Sequence, residues 1–241
     1  MLAYCDLHIH SCLSPCGDDE MTPWNVVGMA RVKGLEVIAV TDHNTALNIP
    51  QAARAGRAYG VAVVPGLEVT TREEVHMLAY FAAEADALAF GEALYAHLPD
   101  IANREDLFGR QTVIGDDDLP VGSVSRLLLN ATDLSLAELG KLTREHGGEV
   151  VPAHINRCAN GMIGSLGLMP PLPDYPVVEV YRRVPCPAYA TKNRAVWHAS
   201  DAHRLEDIAE REFALELEEP SAAAVLALLR RLNNEARQQY R

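Results

Sequence analysis

Short apolar runs alternate with segments of helical periodicity along most of the chain. Residues 2–9 predict a first strand, and residues 36–41 predict a strand buried on both faces, as in a parallel sheet. The other apolar runs predict strands at 61–65, 68–70, 75–81, 150–151, 177–180, 196–200 and 212–217. Helical spacing predicts helices at 23–33, 50–59, 83–98, 135–146 and 221–237. The alternation predicts a parallel α/β protein, and about seven strand–helix units favour a small (β/α) barrel in one domain, residues 1–241.

Local signals support the predicted helix ends and mark one irregular stretch. Thr22 before Pro23 is typical of a helix start, and Ser135 with Glu138 forms a capping-box pattern. Residues 99–130 are less regular, so we expect either a lid or specificity insert, or a solvated surface segment. No glycine-rich phosphate loop follows the first strand, which argues against a nucleotide-binding Rossmann or P-loop domain.

Composition limits the classes of protein to consider. About half of the residues are hydrophobic, which is enough for a large core, yet no apolar run reaches the length of a membrane span. The start of the chain lacks a basic segment and is not expected to be a signal peptide. The five cysteines are an odd number, which favours free thiols in a reducing compartment. We therefore expect a cytoplasmic protein with no membrane partner.

The formal net charge of −12 limits the classes of partner to consider. An acidic protein gains nothing from the release of counterions on a nucleic-acid duplex, so bulk nucleic-acid binding is not expected. A small anionic ligand, held by local cations, remains compatible with this charge. The expected partner is therefore a small phosphorylated molecule, and the sequence leaves the oligomeric state open.

Histidines and acids collect at the predicted strand ends. His8 and His10 are two residues apart, so on a strand their side chains point the same way, and Asp201 and His203 repeat this spacing. The other such residues are Asp42, His43, Glu68, His76 and His154. The active sites of (β/α) barrels form at the carboxyl ends of the strands, and imidazole with carboxylate suits zinc, iron or manganese.

Each of these residues alone would be an ordinary polar side chain. Together, six of the nine histidines lie at or beside strand ends, which indicates one metal or catalytic site. His97 and His146 fall on predicted helices and are expected to be ordinary surface or core residues, whereas His198 lies beside the site.

The order of short motifs along the chain resembles the polymerase and histidinol phosphatase (PHP) family. The motifs are Asp-Leu-His-Ile-His-Ser from Asp6, Val-Thr-Asp-His-Asn from Val40, Gly-Leu-Glu-Val from Gly66, Val-His-Met-Leu from Val75, Ala-His-Ile-Asn from Ala153 and Ser-Asp-Ala-His from Ser200. The resemblance implies a distorted (β/α)7 barrel, two or three divalent transition metal ions (Zn, Fe or Mn) and phosphoester hydrolysis by metal-activated hydroxide.

The resemblance also implies a role for each matched residue. His8, His10 and Asp201 would hold one metal, and His76 and His154 a second, with Glu68 bridging the two. His43 and His203 would contribute to a third site, and Asp42 would orient an imidazole or its neighbouring strand. Catalysis would depend on Glu68, Asp201 and His203.

One position departs from the family pattern. An aspartate or histidine usually stands five or six residues after the second histidine as a ligand of the third metal, whereas this chain has Pro15 and Cys16. Either Asp18 or Asp19, or the Cys16 thiolate, would then have to supply that ligand.

The substrate is the least defined part of the prediction. Three arginines that follow predicted strands are candidates to bind a substrate phosphate: Arg157, Arg182 and Arg183. A guanidinium group can donate two parallel hydrogen bonds to one phosphate. A nucleotide or nucleoside bisphosphate is the preferred substrate. The alternatives are a histidinol-phosphatase-like enzyme, a proofreading-nuclease-like enzyme, and a non-catalytic, metal-stabilised binding module.

Overall fold

The computed structural model describes residues 1–171 and 175–239. Its strands are β1 (Leu2–Ile9), β2 (Val37–Val40), β3 (Ala62–Thr70), β4 (His76–Tyr80), β5 (Thr112–Ile114), β6 (Pro120–Ser123), β7 (Glu149–Pro152), β8 (Val177–Glu179), β9 (Ala195–Trp197) and β10 (Ala214–Glu216). Its helices are α1 (Pro23–Val32), α2 (Ile49–Tyr59), α3 (Glu84–Tyr95), α4 (Glu105–Phe108), α5 (Leu136–Glu145), α6 (Met162–Leu166), α7 (Ala188–Thr191) and α8 (Ala222–Gln239). The predicted capping box of α5 is present, and Thr22 caps α1.

The main sheet has the strand order β10-β1-β2-β3-β4-β7, and β8 and β9 form a separate parallel pair. Strands β1, β2 and β3 are parallel, but β4 is antiparallel to both β3 and β7, and β10 is antiparallel to β1. The α/β class is as expected. The described residues do not reproduce a regular sevenfold strand–helix repeat, because β3 and β4 are joined by a hairpin and not by a helix.

The sheet curls around an inner apolar cluster. Side chains from the eight strands β1, β2, β3, β4, β7, β8, β9 and β10 pack together there with Val225 and Leu229 of α8. Two further clusters lie on the outer faces, one under α1 and α2 and the other under α3 and α5. Side chains alternate between the two faces of each strand, so every second residue points inward. The curling of the sheet brings the strand ends together around one opening.

Two predicted strands, 61–65 and 68–70, form the single strand β3. Gly66 permits this continuity, because a Cβ atom there would lie 2.8 Å from the Thr41 side chain and 3.2 Å from Tyr80. The strand pairs with β2 through its first half and with β4 through its second half. Glu68 therefore lies within a strand and not in a loop after one.

The irregular stretch 99–130 contains α4 and the antiparallel hairpin of β5 and β6. It packs on the loop that follows β1: the Thr112 amide donates to the Cys12 carbonyl, and Gly109 lies so close to Pro15 that a Cβ atom would be 2.3 Å from the Pro15 oxygen. The stretch thus supports the loop that carries Cys16. Its role as a lid or specificity insert stays a prediction.

Two features of the structure concern membrane spans and disulfide bonds. Among the described residues, no helix is long and apolar enough to cross a membrane. All five cysteines are free thiols in this structure.

Candidate metal centre

The six histidines of the family motifs lie together with Glu68 and Asp201 at one edge of the curled sheet. His8 is on β1 and His10 directly follows it, while Glu68 is on β3. His76 begins β4, which runs opposite to its neighbours, so its first residue lies at the same edge as the carboxyl ends of the parallel strands. The remaining members, His43, His154, Asp201 and His203, occupy loops that follow β2, β7 and β9.

Glu68 is the carboxylate that contacts the most histidines. Its Oε1 lies 2.8 Å from Nδ1 of His76 and 3.0 Å from Nε2 of His154. The side chain is also within hydrogen-bonding or ion-pairing distance of three further imidazoles, at 3.2–3.3 Å: His8, His10 and His43. Glu68 is 1% exposed, so these contacts replace water almost completely. A carboxylate placed between imidazoles of two groups has the geometry of a bridging ligand.

Asp201 is the second carboxylate and contacts a different part of the group. Its Oδ1 lies 3.3 Å from Nε2 of His8 and 3.2 Å from Nε2 of His10, and its Oδ2 accepts a hydrogen bond from Arg157. Asp201 has a positive φ of 54°, and His154 has a φ of 25°. Such backbone conformations are costly for non-glycine residues and persist where the surroundings enforce them, often at functional sites.

A buried acid at the start of the chain fixes the loop that carries Asp201. Asp6 accepts hydrogen bonds from the Ser200 amide at 2.9 Å and the Ser200 hydroxyl at 2.6 Å. It also accepts from the Ala209 amide at 2.9 Å. These bonds tie the loop after β9 to β1, and they place Asp201 opposite His8 and His10.

Outer hydrogen bonds determine which imidazole nitrogen faces the centre. Nδ1 of His8 donates to Glu179, whose oxygens lie at 3.1 and 3.2 Å. The Ser14 hydroxyl donates to Asp42 at 2.7 Å, so it accepts from Nδ1 of His10 at 2.9 Å. In both rings the Nε2 lone pair is left to face the centre, which is the usual arrangement for metal-binding histidines.

The carboxylates raise the pKa of two buried imidazoles. Burial alone would lower the pKa of His8, but the charges of Glu179 and Glu68 raise it well above its ordinary value. Burial also acts to lower the pKa of His10, yet hydrogen bonds to Asp201 and Glu68 raise it to about 9. This part of the centre therefore attracts positive charge, whether a proton or a metal ion.

Two imidazoles that neighbour His10 instead remain neutral. Burial lowers the pKa of His43 well below its ordinary value. Burial and the nearby His10 lower the pKa of His203 to about 4. Although burial would raise the pKa of Glu68, the surrounding imidazoles, led by His76, lower it well below its ordinary value. Neutral imidazoles next to an ionised carboxylate are the protonation states that metal coordination requires.

The donor set fits transition metal ions. Within residues 1–171 and 175–239, three groups have ligand atoms that lie within 4.8 Å of one another: His8, His10, Glu68 and Asp201; His43, Glu68 and His76; and His10, Cys16, His43 and His203. Nδ1 of His154 is buried without a hydrogen-bond partner among the described residues. Buried nitrogens are rarely left unpaired, and mixed imidazole and carboxylate donors favour zinc, iron or manganese.

The arginines predicted to bind phosphate separate in space. Arg157 lines a cavity of about 460 Å³ over the centre, together with Tyr181 and Cys158, and its guanidinium lies 4.8 Å from the centre of the Tyr181 ring. Arg182 and Arg183 line a different pocket, where Arg182 pairs with Glu212. Only Arg157 of the three therefore lies at the centre.

Other predicted residues also lie apart from the centre. Asp18 is exposed, accepts a hydrogen bond from the Glu20 amide and belongs to none of the three ligand groups. Cys16, in contrast, belongs to one of these groups. His97 pairs with Asp133. His146 donates to a carbonyl of its own helix, and His198 donates to the Val180 carbonyl and so links β8 to β9.

Sequence reasoning missed three residues that shape the centre. Glu179 and Ser14 orient imidazoles, and Tyr181 packs against Arg157. Glu179 had a signal, since it is the single acid in the apolar run 177–180 and is 2% exposed in the structure. A buried acid in such a run needs a hydrogen-bonding partner.

Comparisons with known proteins identify the family and the fold. The model of the PHP domain family matches residues 6–136, more than half of the chain. The fold superimposes on the lesion-specific endonuclease Q of Pyrococcus furiosus with a TM-score of 0.71 and 18% identity, over 95% of this chain and 56% of that one. A structure of endonuclease Q with a 27-mer duplex carrying an abasic lesion matches at a TM-score of 0.69 and 17% identity, over 95% of this chain and 57% of that one.

A curated relative is a 5'-3' exoribonuclease of Haemophilus influenzae, 35% identical over 69 residues, which are 29% of this chain and 24% of the relative. The chain spans less than half of the length of each curated relative it matches.

These matches correct the expected partner. The prediction of a small phosphorylated molecule as the partner, with no bulk nucleic-acid binding expected, is contradicted by the likeness to an endonuclease that binds a DNA duplex. The net charge of −12 led to a wrong prediction of the partner because it describes the whole surface and not the cavity over the centre. Metal ions are the largest local charges in such a site and reverse its electrostatics.

Proposed function

Because the chain belongs to the PHP domain family, we propose that it is a metal-dependent phosphoesterase that hydrolyses phosphodiester bonds of a nucleic acid. The observation that carries this proposal is the meeting of six imidazoles and two carboxylates beneath an open cavity that Arg157 lines. The likeness to endonuclease Q and to the exoribonuclease supports a polymeric phosphodiester as the substrate. We also take residues 1–241 to form one domain.

Each group of side chains has a separate task in this proposal. His8, His10 and Asp201 would hold one ion, His76 and His154 a second, and Glu68 would bridge them. When bound, divalent zinc, iron or manganese ions activate water as a nucleophile and neutralise charge on the phosphoryl group. The buried positions of Glu68 and Asp201 limit their hydration and fix their orientation, so little reorganisation is needed during the reaction.

Arg157 would bind the substrate phosphate. Its side chain is 40% exposed, so it reaches both the cavity and the buried Asp201. The guanidinium is a planar donor that forms paired hydrogen bonds with phosphate oxygens, and its stacking on Tyr181 limits its motion. Nδ1 of His203 donates to the Asp201 carbonyl, and His203 lines the same cavity as Arg157.

End-labelled DNA and RNA oligonucleotides, single-stranded and duplex, test the proposal in the presence of Mn²⁺. We expect cleavage that a chelator abolishes and that His8→Ala or Asp201→Ala reduces by at least about 100-fold, since loss of an outer-sphere partner alone costs 10–100-fold. His97→Ala is the matched control, because this histidine pairs with Asp133 away from the centre. Turnover of mononucleotides without cleavage of any oligonucleotide would overturn the substrate, and absence of all metal-dependent turnover would overturn the enzyme class.

A further inference from the structure

We propose that Arg183 binds the phosphate next to the scissile one on a polynucleotide strand, so that the protein contacts its substrate beyond the metal centre. The inference deepens the proposed function and rests on it for the nature of the substrate. Its starting point is the turn of residues 181–184, which lies between two cavities. Tyr181 and Val184 line the cavity of about 460 Å³ over the centre, whereas Arg182 and Arg183 line a second cavity of about 300 Å³.

The two cavities adjoin at two places. Tyr181 lines both of them. Ser200 lines the second cavity, and the next residue, Asp201, lines the first. A strand whose scissile phosphate lies over the centre, beside Arg157, can therefore continue past Tyr181 into the second cavity.

A buried asparagine holds the turn between the cavities in place. Nδ2 of Asn156 donates to the Tyr181 carbonyl at 2.9 Å and to the Val184 carbonyl at 2.6 Å, and its Oδ1 accepts from the Tyr181 amide at 2.9 Å. Asn156 is 8% exposed and directly precedes Arg157, whose guanidinium packs on the Tyr181 ring. The backbone that carries Arg183 is thus fixed relative to Arg157, so little ordering is needed when a strand binds.

The second cavity has one arginine that remains available for a ligand. Arg182 pairs with Glu212, and Lys33 pairs with Glu210 at 3.1 Å. Arg183 is exposed and forms no hydrogen bond or ion pair with any other described residue. An exposed guanidinium without a partner can donate paired hydrogen bonds to a phosphate.

The acids of the second cavity limit the contact to one phosphate. Glu206 and Asp207 line this cavity, are exposed, and have no arginine or lysine partner in the described part of the chain. Their charges repel a polyanion. A strand that reaches Arg183 should therefore leave the cavity after that contact, so the expected footprint is the scissile phosphate and one neighbour.

The salt dependence of binding tests the inference without any assay of turnover. Mn²⁺-loaded protein is titrated into single-stranded DNA or RNA oligonucleotides whose phosphorothioate linkages resist hydrolysis, and fluorescence anisotropy gives Kd. Arg183→Ala should raise Kd about 5-fold, the upper end for an exposed ion pair. The slope of log Kd against log salt concentration should become shallower by about 0.7, the value for one phosphate contact on a single strand. Arg183→Lys should retain the wild-type slope, because an ammonium group also binds phosphate.

Arg231→Ala is the matched control. Arg231 is also exposed and has no partner among the described residues, but it lines a separate cavity beside β10 and α8. Its Kd and slope should equal those of the wild type. A wild-type slope in Arg183→Ala, or an equal change in Arg231→Ala, would overturn the inference. Absence of oligonucleotide binding by the wild type would overturn it together with the proposed substrate, and the DNA and RNA arms show which polymer makes the contact.

The length of the substrate provides a second measurement. A dinucleoside monophosphate has only the scissile phosphate, whereas an unmodified oligonucleotide also has neighbouring phosphates. Arg183→Ala should lower the ratio of kcat/KM on the oligonucleotide to kcat/KM on the dinucleoside monophosphate by about 5-fold. An unchanged ratio would contradict the contact with a neighbouring phosphate. The expected salt dependence of binding without any cleavage would instead overturn the proposed function and leave this contact standing.

Discussion

At the scale of single residues, the centre depends on side chains that would not contact a metal ion. Glu179 contacts Nδ1 of His8 through both oxygens and accepts from the His154 amide at 3.0 Å. One buried carboxylate therefore orients the imidazole of a proposed ligand on β1 and the backbone of a proposed ligand after β7. Its negative charge also increases the basicity of the His8 imidazole and hence its strength as a metal ligand.

Glu179→Gln should weaken metal binding at the group of His8 and Asp201 by about 10–100-fold, because the amide orients the ring but does not carry the charge. Chelator competition with Zn²⁺ or Mn²⁺ measures this affinity. Glu212→Gln is the control, since that acid is 63% exposed and pairs with Arg182 outside the centre. An unchanged affinity in Glu179→Gln would show that Glu179 does not tune the centre.

The motif residues were predictable from sequence for a physical reason. His8 and His10 show the two-residue spacing of one strand face, and that spacing is visible without coordinates. Ser14 and Glu179 act through contacts with residues that are distant in sequence or belong to other strands. Such contacts depend on how the strands come together, so the sequence analysis missed both residues.

At the scale of elements, the turn after β7 places His154. This turn is tight: a Cβ atom on Gly161 would lie 2.3 Å from the Arg157 oxygen and 2.8 Å from the His154 oxygen. The turn holds His154 at positive φ and directs Arg157 towards Asp201. Two residues proposed for different tasks thus depend on the same backbone segment.

Gly161→Ala should move this turn and lower the free energy of unfolding by about 1–3 kcal/mol, the usual cost of overpacking. Metal affinity should fall as well, because the backbone of His154 must shift. Gly122→Ala is the matched control, since no atom lies within 4 Å of the Cβ position there. Urea unfolding and chelator competition measure the two effects, and wild-type values in Gly161→Ala would contradict the role given to the turn.

Strand direction limited what could be predicted at this scale. The apolar runs predicted where most strands lie, and β1 has the predicted bounds. They did not reveal that β4 is antiparallel, because β4 is buried on both faces and so has the continuous apolar run that is typical of a parallel strand. That reversal explains why His76, at the beginning of its strand, joins residues that lie at the ends of theirs.

At the scale of the whole molecule, the centre connects parts of the chain that are far apart in sequence. Its proposed ligands extend from His8 to His203 and come from β1, β3, β4 and the loops after β2, β7 and β9. An ion that binds this arrangement and not the unfolded chain stabilises the entire fold. The net charge did not predict this arrangement or the partner, since it averages over surface acids far from the cavity.

Removal of metal should therefore lower the melting temperature. An ion present at 100 times its Kd contributes about 2.7 kcal/mol, and each kcal/mol shifts Tm by about 2–4 °C in a chain of this size, so a chelator should lower Tm by roughly 5–10 °C. Differential scanning calorimetry measures the shift. Asp201→Ala should reduce it, whereas Arg182→Ala, outside the centre, should not. Equal Tm values with and without metal would contradict the coupling.

The hydrogen bonds between Asp6 and Ser200 have a consequence for biosynthesis. During translation, His8 and His10 leave the ribosome long before the loop after β9, which carries Asp201. These two imidazoles therefore emerge without the carboxylate of Asp201. The centre is completed only when residue 203 has cleared the exit tunnel. Capture of metal at the proposed group of His8, His10 and Asp201 is therefore expected only after residues 1–203 have been made and have reached their native topology.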